Sequence, residues 1–244
     1  VAVKSLPPSD LNETNRLFPM SQDGDLFAQD KSAGPWSEQL SAGTFLLHGL
    51  VQGQALLAEL PGIVAQSPFR HMVVARGQAM SVAMTNCGPL GWISDTRGYR
   101  YSASDPQSGE PWPGMPEVFL RLAQTAAAQA GFAGFMPDAC LVNRYAVGAR
   151  MALHQDRDER DLRAPIVSVS LGLPAVFLLG GLQRADKAQR IPLVHGDVLV
   201  WGGVDRLRFH GVQPLKEGNH PLLGQQRINL TFRQAGRCCA AGRD

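Results

Sequence analysis

His154 and Asp156 are separated by one residue, and a second histidine, His210, stands 54 residues beyond the aspartate. In a β-strand residues i and i+2 point to one face, so His154-x-Asp156 aims an imidazole and a carboxylate into the same space. Two histidines and one carboxylate are the ligand set of non-haem Fe(II) sites, which keep coordination positions open for a co-substrate and O2. The intervening chain is long enough for several strands to bring His210 back. Taken alone the triad is a weak signal. With six histidines in the chain, a chance His-x-Asp arises in roughly one such chain in three. A second one is present, His195-Gly196-Asp197. Its central glycine, just ahead of the apolar run VLVW, reads as a tight turn between two strands. A turn does not put both side chains on one face, so His154 is preferred.

The segment RINLTFR strengthens the case. Arg227, Asn229, Thr231 and Arg233 alternate with Ile228, Leu230 and Phe232, giving one polar and one apolar strand face. An exposed edge strand explains that pattern equally well. Arginine, however, binds carboxylates bidentately, and two on one face suit a dicarboxylic acid. Asn143-x-Tyr145 offers a second same-face polar pair.

These residues need a scaffold. From Asp138 onward short β-rich runs follow one another: ACLVNRY, ARMALHQ, PIVSVSLG, AVFLLG, RIPLV, DVLVWGG, RFHGV and RINLTFR. Turn residues separate them and no helix-length periodic stretch intervenes, the pattern of a jelly roll. The fold expected is mainly β with flanking helices, a double-stranded β-helix (jelly roll) with a helix-containing N-terminal region packed against it. In that earlier region Thr44 to Leu50 reads as a strand. Gln54 to Ala65 has helical spacing, with Pro61 expected to end or kink it. Met72 to Pro113 reads as loops and hairpins, and Glu117 to Ala130 as an amphipathic helix closed by Gly131. The division expected is a flexible leader at 1–24, an N-terminal extension at 25–137, the jelly-roll core at 138–237 and a tail at 238–244.

Bulk composition excludes little. The 244 residues carry 44% apolar side chains and a formal charge of +2, too small by itself to imply nucleic-acid binding. No apolar run approaches the roughly 18 residues of a membrane span. On charge alone, Asp158, Glu159 and Asp161 among Arg157, Arg160 and Arg163 read as a solvated surface. No C-x-x-C pair suggests zinc. The four cysteines suit a reducing cytoplasm.

The motifs NRYAVGARMALHQDRDERDLRAPIVSVSLGLPAVF, HGDVLVWGGVDRLRFHGVQPL and RINLTFRQAG resemble the AlkB family of nucleic-acid dealkylating dioxygenases. SPFRHM, MSVAMTNCGPLGW, RGY, DPQ and PDACLVNRY resemble it too, in the same order, from about Asp25 to Arg237. The similarity is greatest to bacterial members. It implies an Fe(II)- and 2-oxoglutarate-dependent enzyme, with O2 as co-substrate, that demethylates 1-methyladenine and 3-methylcytosine. The products are succinate, CO2, formaldehyde and the repaired base. Carried over by position, the resemblance assigns His154, Asp156 and His210 to iron and catalysis. Asn143, Tyr145, Arg227, Asn229 and Arg233 fall to 2-oxoglutarate. Trp92, Tyr99, Tyr101, Asp158, Arg184 and Met84 fall to the base pocket, with Arg150 and Ala152 near the strand. Ala152 and Val74 are less polar than the family pattern. The implied partner is single- or double-stranded DNA with methylated bases, with RNA as a second nucleic acid, bound by a monomer without a membrane. A non-catalytic nucleic-acid-binding module is the competing reading, and no iron ligand is missing to favour it.

Overall fold

A computed structural model of the chain describes residues 34–236. The leader expected at 1–24 and the tail at 238–244 lie outside the described residues. The chain runs β1 (Trp36–Ser41), β2 (Thr44–His48), α1 (Gln54–Gln66), β3 (Arg70–Val73), β4 (Ala79–Cys87), β5 (Gly91–Asp95), β6 (Gly98–Ser102) and α2 (Glu117–Gln129). It continues through β7 (Ala139–Ala146), β8 (Met151–His154), β9 (Ile166–Gly172), β10 (Ala175–Leu179), β11 (Gln189–Leu193), β12 (Val198–Trp201), β13 (His210–Val212) and β14 (Gln226–Arg233). Each of the eight β-rich runs after Asp138 contains a strand.

Eight strands form one sheet in the order β1-β2-β12-β9-β14-β7-β4-β3, and β11-β10-β13-β8 form a second. These two sheets make the jelly roll, and β5–β6 is a separate hairpin. Strands from before Asp138 thus extend both ends of the large sheet.

Alternation along the strands decides what each face meets. Ile228, Leu230 and Phe232 of β14 join Val167, Val169, Val198 and Val200 in one core, packed under Leu56, Leu60 and Ile63 of α1 and Phe119, Ala123 and Ala127 of α2. Phe119 meets Phe232 edge-on, with ring centroids 6.0 Å apart. The opposite face of the sheet supplies Leu141, Ile166, Leu199 and Trp201 to a second core shared with Phe177, Leu179 and Leu193 of the small sheet. Strand β14 lies between β9 and β7. Its polar residues therefore face the space between the sheets, and the edge-strand alternative falls.

Of the two outcomes expected at Pro61, an end or a kink, the helix does not end there: α1 runs on to Gln66. The proline is on the exposed side, while Leu56, Leu60 and Ile63 anchor both halves of the helix to the core. Tertiary burial on either side of the proline outweighs its local cost.

Candidate active site

The small sheet sets the triad. Strands β8 and β13 pair with His154 opposite His210, and the register slips just after His210. Gly211 occupies the slip: a Cβ there would lie 2.7 Å from the Met151 carbonyl oxygen, closer than carbon tolerates. The two imidazoles come to 4.4 Å between centroids. Asp156, just past β8, turns its carboxylate between them, 3.6 Å from His154 Nε2 and 3.7 Å from His210 Nε2. One ligand atom from each of the three lies within 4.8 Å of the others.

The backbone settles how the imidazoles are protonated. His154 Nδ1 lies 2.8 Å from the Ala152 carbonyl, and His210 Nδ1 lies 3.1 Å from that of Arg208. A carbonyl only accepts, so each ring carries a proton on Nδ1 and turns its Nε2 toward the carboxylate. Burial and the neighbouring His154 push the His210 pKa down to about 3, so this ring is neutral, as a ligand must be. Burial acts against the Asp156 carboxylate, yet the charge and hydrogen bonds of Arg233 help hold its pKa below the usual range. Arg233 donates to Asp156 Oδ2 from Nε at 2.9 Å and Nη2 at 2.5 Å. The donor set fits a divalent transition ion, and the arginine fixes the carboxylate that would hold it.

His195 has no such freedom. Its Nδ1 accepts from the Gly172 amide at 3.0 Å and its Nε2 donates to the Gln52 carbonyl at 2.8 Å. Asp197 accepts from the Val194 and Gly49 amides. Gly196, at φ 92°, makes the turn between β11 and β12. The second His-x-Asp is a structural turn.

A cavity of about 530 Å³ opens over the triad. The polar face of β14 forms its floor. Arg227 is 1% exposed; its Nη2 donates to Ser170 Oγ at 3.1 Å, while Nε and Nη1 have no partner among the described residues. A buried guanidinium with unpaired donors is costly unless an anion completes it. Asn143 donates to Asn229 Oδ1 at 3.1 Å, and its own Oδ1 has no partner among the described residues. Asn229 donates to Ser168 Oγ and the Val169 carbonyl. Burial pushes the Tyr145 hydroxyl up to about 12, so it keeps its proton, and Arg227 lies 5.9 Å from its ring. Arg227 and Arg233 stand at the two ends of this floor.

The outer wall comes from the β5–β6 hairpin. Trp92 and Tyr99 stack with centroids 5.5 Å apart, and Trp92 Nε1 donates to Asp158 Oδ2 at 3.1 Å. Both rings, Asp158, Met84, Arg150, Ala152 and Arg184 border the cavity. Arg184 is carried on the exposed β10–β11 loop, its guanidinium 5.3 Å from the Phe209 ring. Tyr101 is the expected pocket residue that does not line this cavity. Its hydroxyl points away, donating to Glu159 Oε1 at 2.6 Å.

Glu159 itself departs from expectation. It reads as part of a solvated charge run, yet its side chain is 2% exposed and pairs with Arg206 at 2.9 Å and Arg233 at 3.4 Å. Two guanidiniums and a phenol offset its desolvation. No local sequence signal marks this cluster, because its partners are distant in the chain. Ser168 and Ser170, which brace the floor, had a legible signal: they alternate with Val167, Val169 and Leu171 in IVSVSLG.

A jelly roll carrying an open His-Asp-His triad above a buried basic floor defines a non-haem iron oxygenase, and the 2OG-Fe(II) oxygenase superfamily pattern matches residues 43–233. The chain belongs to the AlkB family within it, and it is an Fe(II)- and 2-oxoglutarate-dependent dioxygenase. It is 57% identical over 215 residues to Alpha-ketoglutarate-dependent dioxygenase AlkB of Escherichia coli (strain K12), covering 87% of this chain and 98% of that protein. It is 34% identical over 174 residues to DNA N(6)-methyladenine demethylase ALKBH1C of Arabidopsis thaliana, covering 61% of this chain and 38% of that protein. The solved structure of OsALKBH1 superposes with a TM-score of 0.71 at 30% identity, covering 81% of this chain and 99% of that one.

Proposed function

We propose that this enzyme oxidatively demethylates alkylated nucleic-acid bases, chiefly 1-methyladenine and 3-methylcytosine in DNA, and so repairs alkylation damage directly. RNA is a second substrate in this reading. The observation that carries it is the wall of Trp92, Tyr99 and Asp158 on the cavity that also holds the triad. Methylation at adenine N1 or cytosine N3 gives the base a positive charge and blocks pairing, so the lesion is flat, cationic and cheap to extrude. Trp92 supplies a rigid aromatic face to such a cation. Asp158, with one oxygen taken by the indole, keeps the other for the exocyclic amino group. Arg150 and Arg184, on the cavity border, are placed to meet backbone phosphates. The name of the Arabidopsis relative, a DNA demethylase, supports the same substrate class.

In this reading His154, Asp156 and His210 hold Fe(II), while Asn143, Tyr145, Arg227, Asn229 and Arg233 hold 2-oxoglutarate. Bound together, iron and 2-oxoglutarate supply oxidation of the methyl carbon by O2, yielding succinate, CO2 and formaldehyde. The chain's own residues orient and protect. The Ala152 and Arg208 carbonyls fix the two imidazole tautomers, Arg233 keeps Asp156 ionised, and Tyr145 remains a donor. Phe177 and Trp201, packed at 5.8 and 5.0 Å from the His210 ring, exclude water from it.

The triad follows Asp138, and of the base wall Trp92 and Tyr99 precede it while Asp158 follows; in this reading residues 25–137 form the nucleotide-recognition region and 138–237 the jelly-roll dioxygenase core. Single strands avoid the extrusion cost and duplex DNA incurs it. The protein acts as a monomer in the cytoplasm, where the free, buried Cys87 and Cys140 stay reduced. Among the described residues no helix is long and apolar enough to cross a membrane.

Asp158→Ala is expected to raise the KM for a 3-methylcytosine oligonucleotide about tenfold, the loss of one charge-assisted hydrogen bond, and to leave Fe(II) affinity unchanged. Equal loss of metal affinity would remove Asp158 from the base pocket. The function as a whole is tested by mass spectrometry of oligonucleotides incubated with enzyme, Fe(II), 2-oxoglutarate and O2. Conversion of 1-methyladenine and 3-methylcytosine to the plain bases is expected, and persistence of both methyl groups would contradict it.

A further inference from the structure

One carboxylate oxygen joins the base wall to the co-substrate floor. Glu159 Oε1 accepts from the Tyr101 hydroxyl at 2.6 Å and lies 3.4 Å from Arg233 Nε, while Oε2 is held by Arg206 at 2.9 Å. Tyr101 stands directly opposite Trp92 across the β5–β6 ladder, so the hairpin position that sets the Trp92 ring also sets the phenol. At the other end Arg233 grips Asp156. The cluster is buried: the Glu159 side chain is 2% exposed and that of Arg233 7%. Burial also pushes the Tyr101 hydroxyl well above its usual value, keeping it a donor.

We infer that Tyr101 and Glu159 are positioning residues that couple base binding to 2-oxoglutarate binding. The inference rests on the proposed function, because it takes the hairpin as the base wall and Arg233 as a co-substrate ligand. An arriving carboxylate competes with Asp156 and Glu159 for the Arg233 donors, and any shift of the guanidinium is felt at Glu159 Oε1. The phenol bonded to that oxygen carries the shift to the hairpin. A base stacked on Trp92 restrains the hairpin and, through the same three groups, the guanidinium. Linkage requires the effect to be equal in both directions.

The test measures binding without turnover. Fe(II)-loaded enzyme under anaerobic conditions is titrated with a 3-methylcytosine oligonucleotide, with and without saturating 2-oxoglutarate. Wild-type protein is expected to bind the oligonucleotide roughly fivefold more tightly when 2-oxoglutarate is present, the low end of ordinary coupling. The oligonucleotide should tighten 2-oxoglutarate by the same factor. Tyr101→Phe removes only the hydroxyl and should bring both ratios to about one, with Fe(II) affinity retained. A purely structural hydroxyl would instead weaken oligonucleotide binding equally in both conditions and leave the ratio intact, overturning the coupling. So would a wild-type ratio of one. Absence of oligonucleotide binding to the wild type in either condition would overturn the base-binding reading itself.

Discussion

The His210→Ala variant is expected to fold but to bind Fe(II) at least about 100-fold more weakly, since even an outer-shell contact to a metal ligand is worth 10- to 100-fold. Turnover falls to background with it. The imidazole contributes one of three ligands and has its lone pair fixed by the Arg208 carbonyl, so no neighbour substitutes for it. The loss is not a packing artefact if His195→Ala serves as the control. That ring joins the Gly172 amide to the Gln52 carbonyl and faces no metal site, so its removal should lower stability by about 1–2 kcal/mol and leave Fe(II) affinity alone. Calorimetric titration with Fe(II) and thermal unfolding of both variants check the pair. Iron binding lost at position 195 and kept at 210 would reverse the assignment.

Arg227 carries the second large effect. Its guanidinium is buried with two donor atoms unpartnered among the described residues, and burial pulls its pKa below the usual guanidinium value against the opposing charge of Asp197. A dicarboxylate arriving there gains charge-assisted hydrogen bonds and relieves a buried cation at once. Arg227→Ala is therefore expected to raise the KM for 2-oxoglutarate about 100-fold, some 3 kcal/mol for hydrogen bonds to a charged group, with Fe(II) affinity near wild type. Arg227→Lys keeps the charge and loses the fork, so roughly a tenfold increase is expected. Steady-state kinetics at saturating oligonucleotide separates these effects from base binding. An unchanged KM for 2-oxoglutarate in the alanine variant would detach Arg227 from the co-substrate.

Periodicity made most of the core legible. The alternation in RINLTFR put Arg227, Asn229, Thr231 and Arg233 on one face, and the cavity floor is built from that face. The glycine in His195-Gly196-Asp197 separated a turn from a ligand pair. Other features were not readable because they depend on distant partners. Whether β14 was central or an edge strand depended on β7 and β9, which lie 80 and 60 residues away in sequence or thereabouts. Pro61 read as a helix breaker because the pattern shows the missing N–H and not the core on either side. Glu159 read as a surface charge because the arginines that neutralise it, Arg206 and Arg233, come from elsewhere in the chain. The family resemblance assigns Tyr101 to the base pocket by position and does not show where its hydroxyl points. Only the position of Glu159 shows that its hydroxyl is taken.

The measurement closest to the central claim is the stoichiometry of a single coupled reaction. Enzyme, Fe(II), O2 and 2-oxoglutarate are mixed with a 3-methylcytosine oligonucleotide, and succinate and formaldehyde are quantified together. One formaldehyde per succinate is predicted, with both suppressed by His210→Ala and formaldehyde absent when the unmethylated oligonucleotide is used. Succinate formed without formaldehyde, at the same rate with either oligonucleotide, would contradict the demethylase assignment.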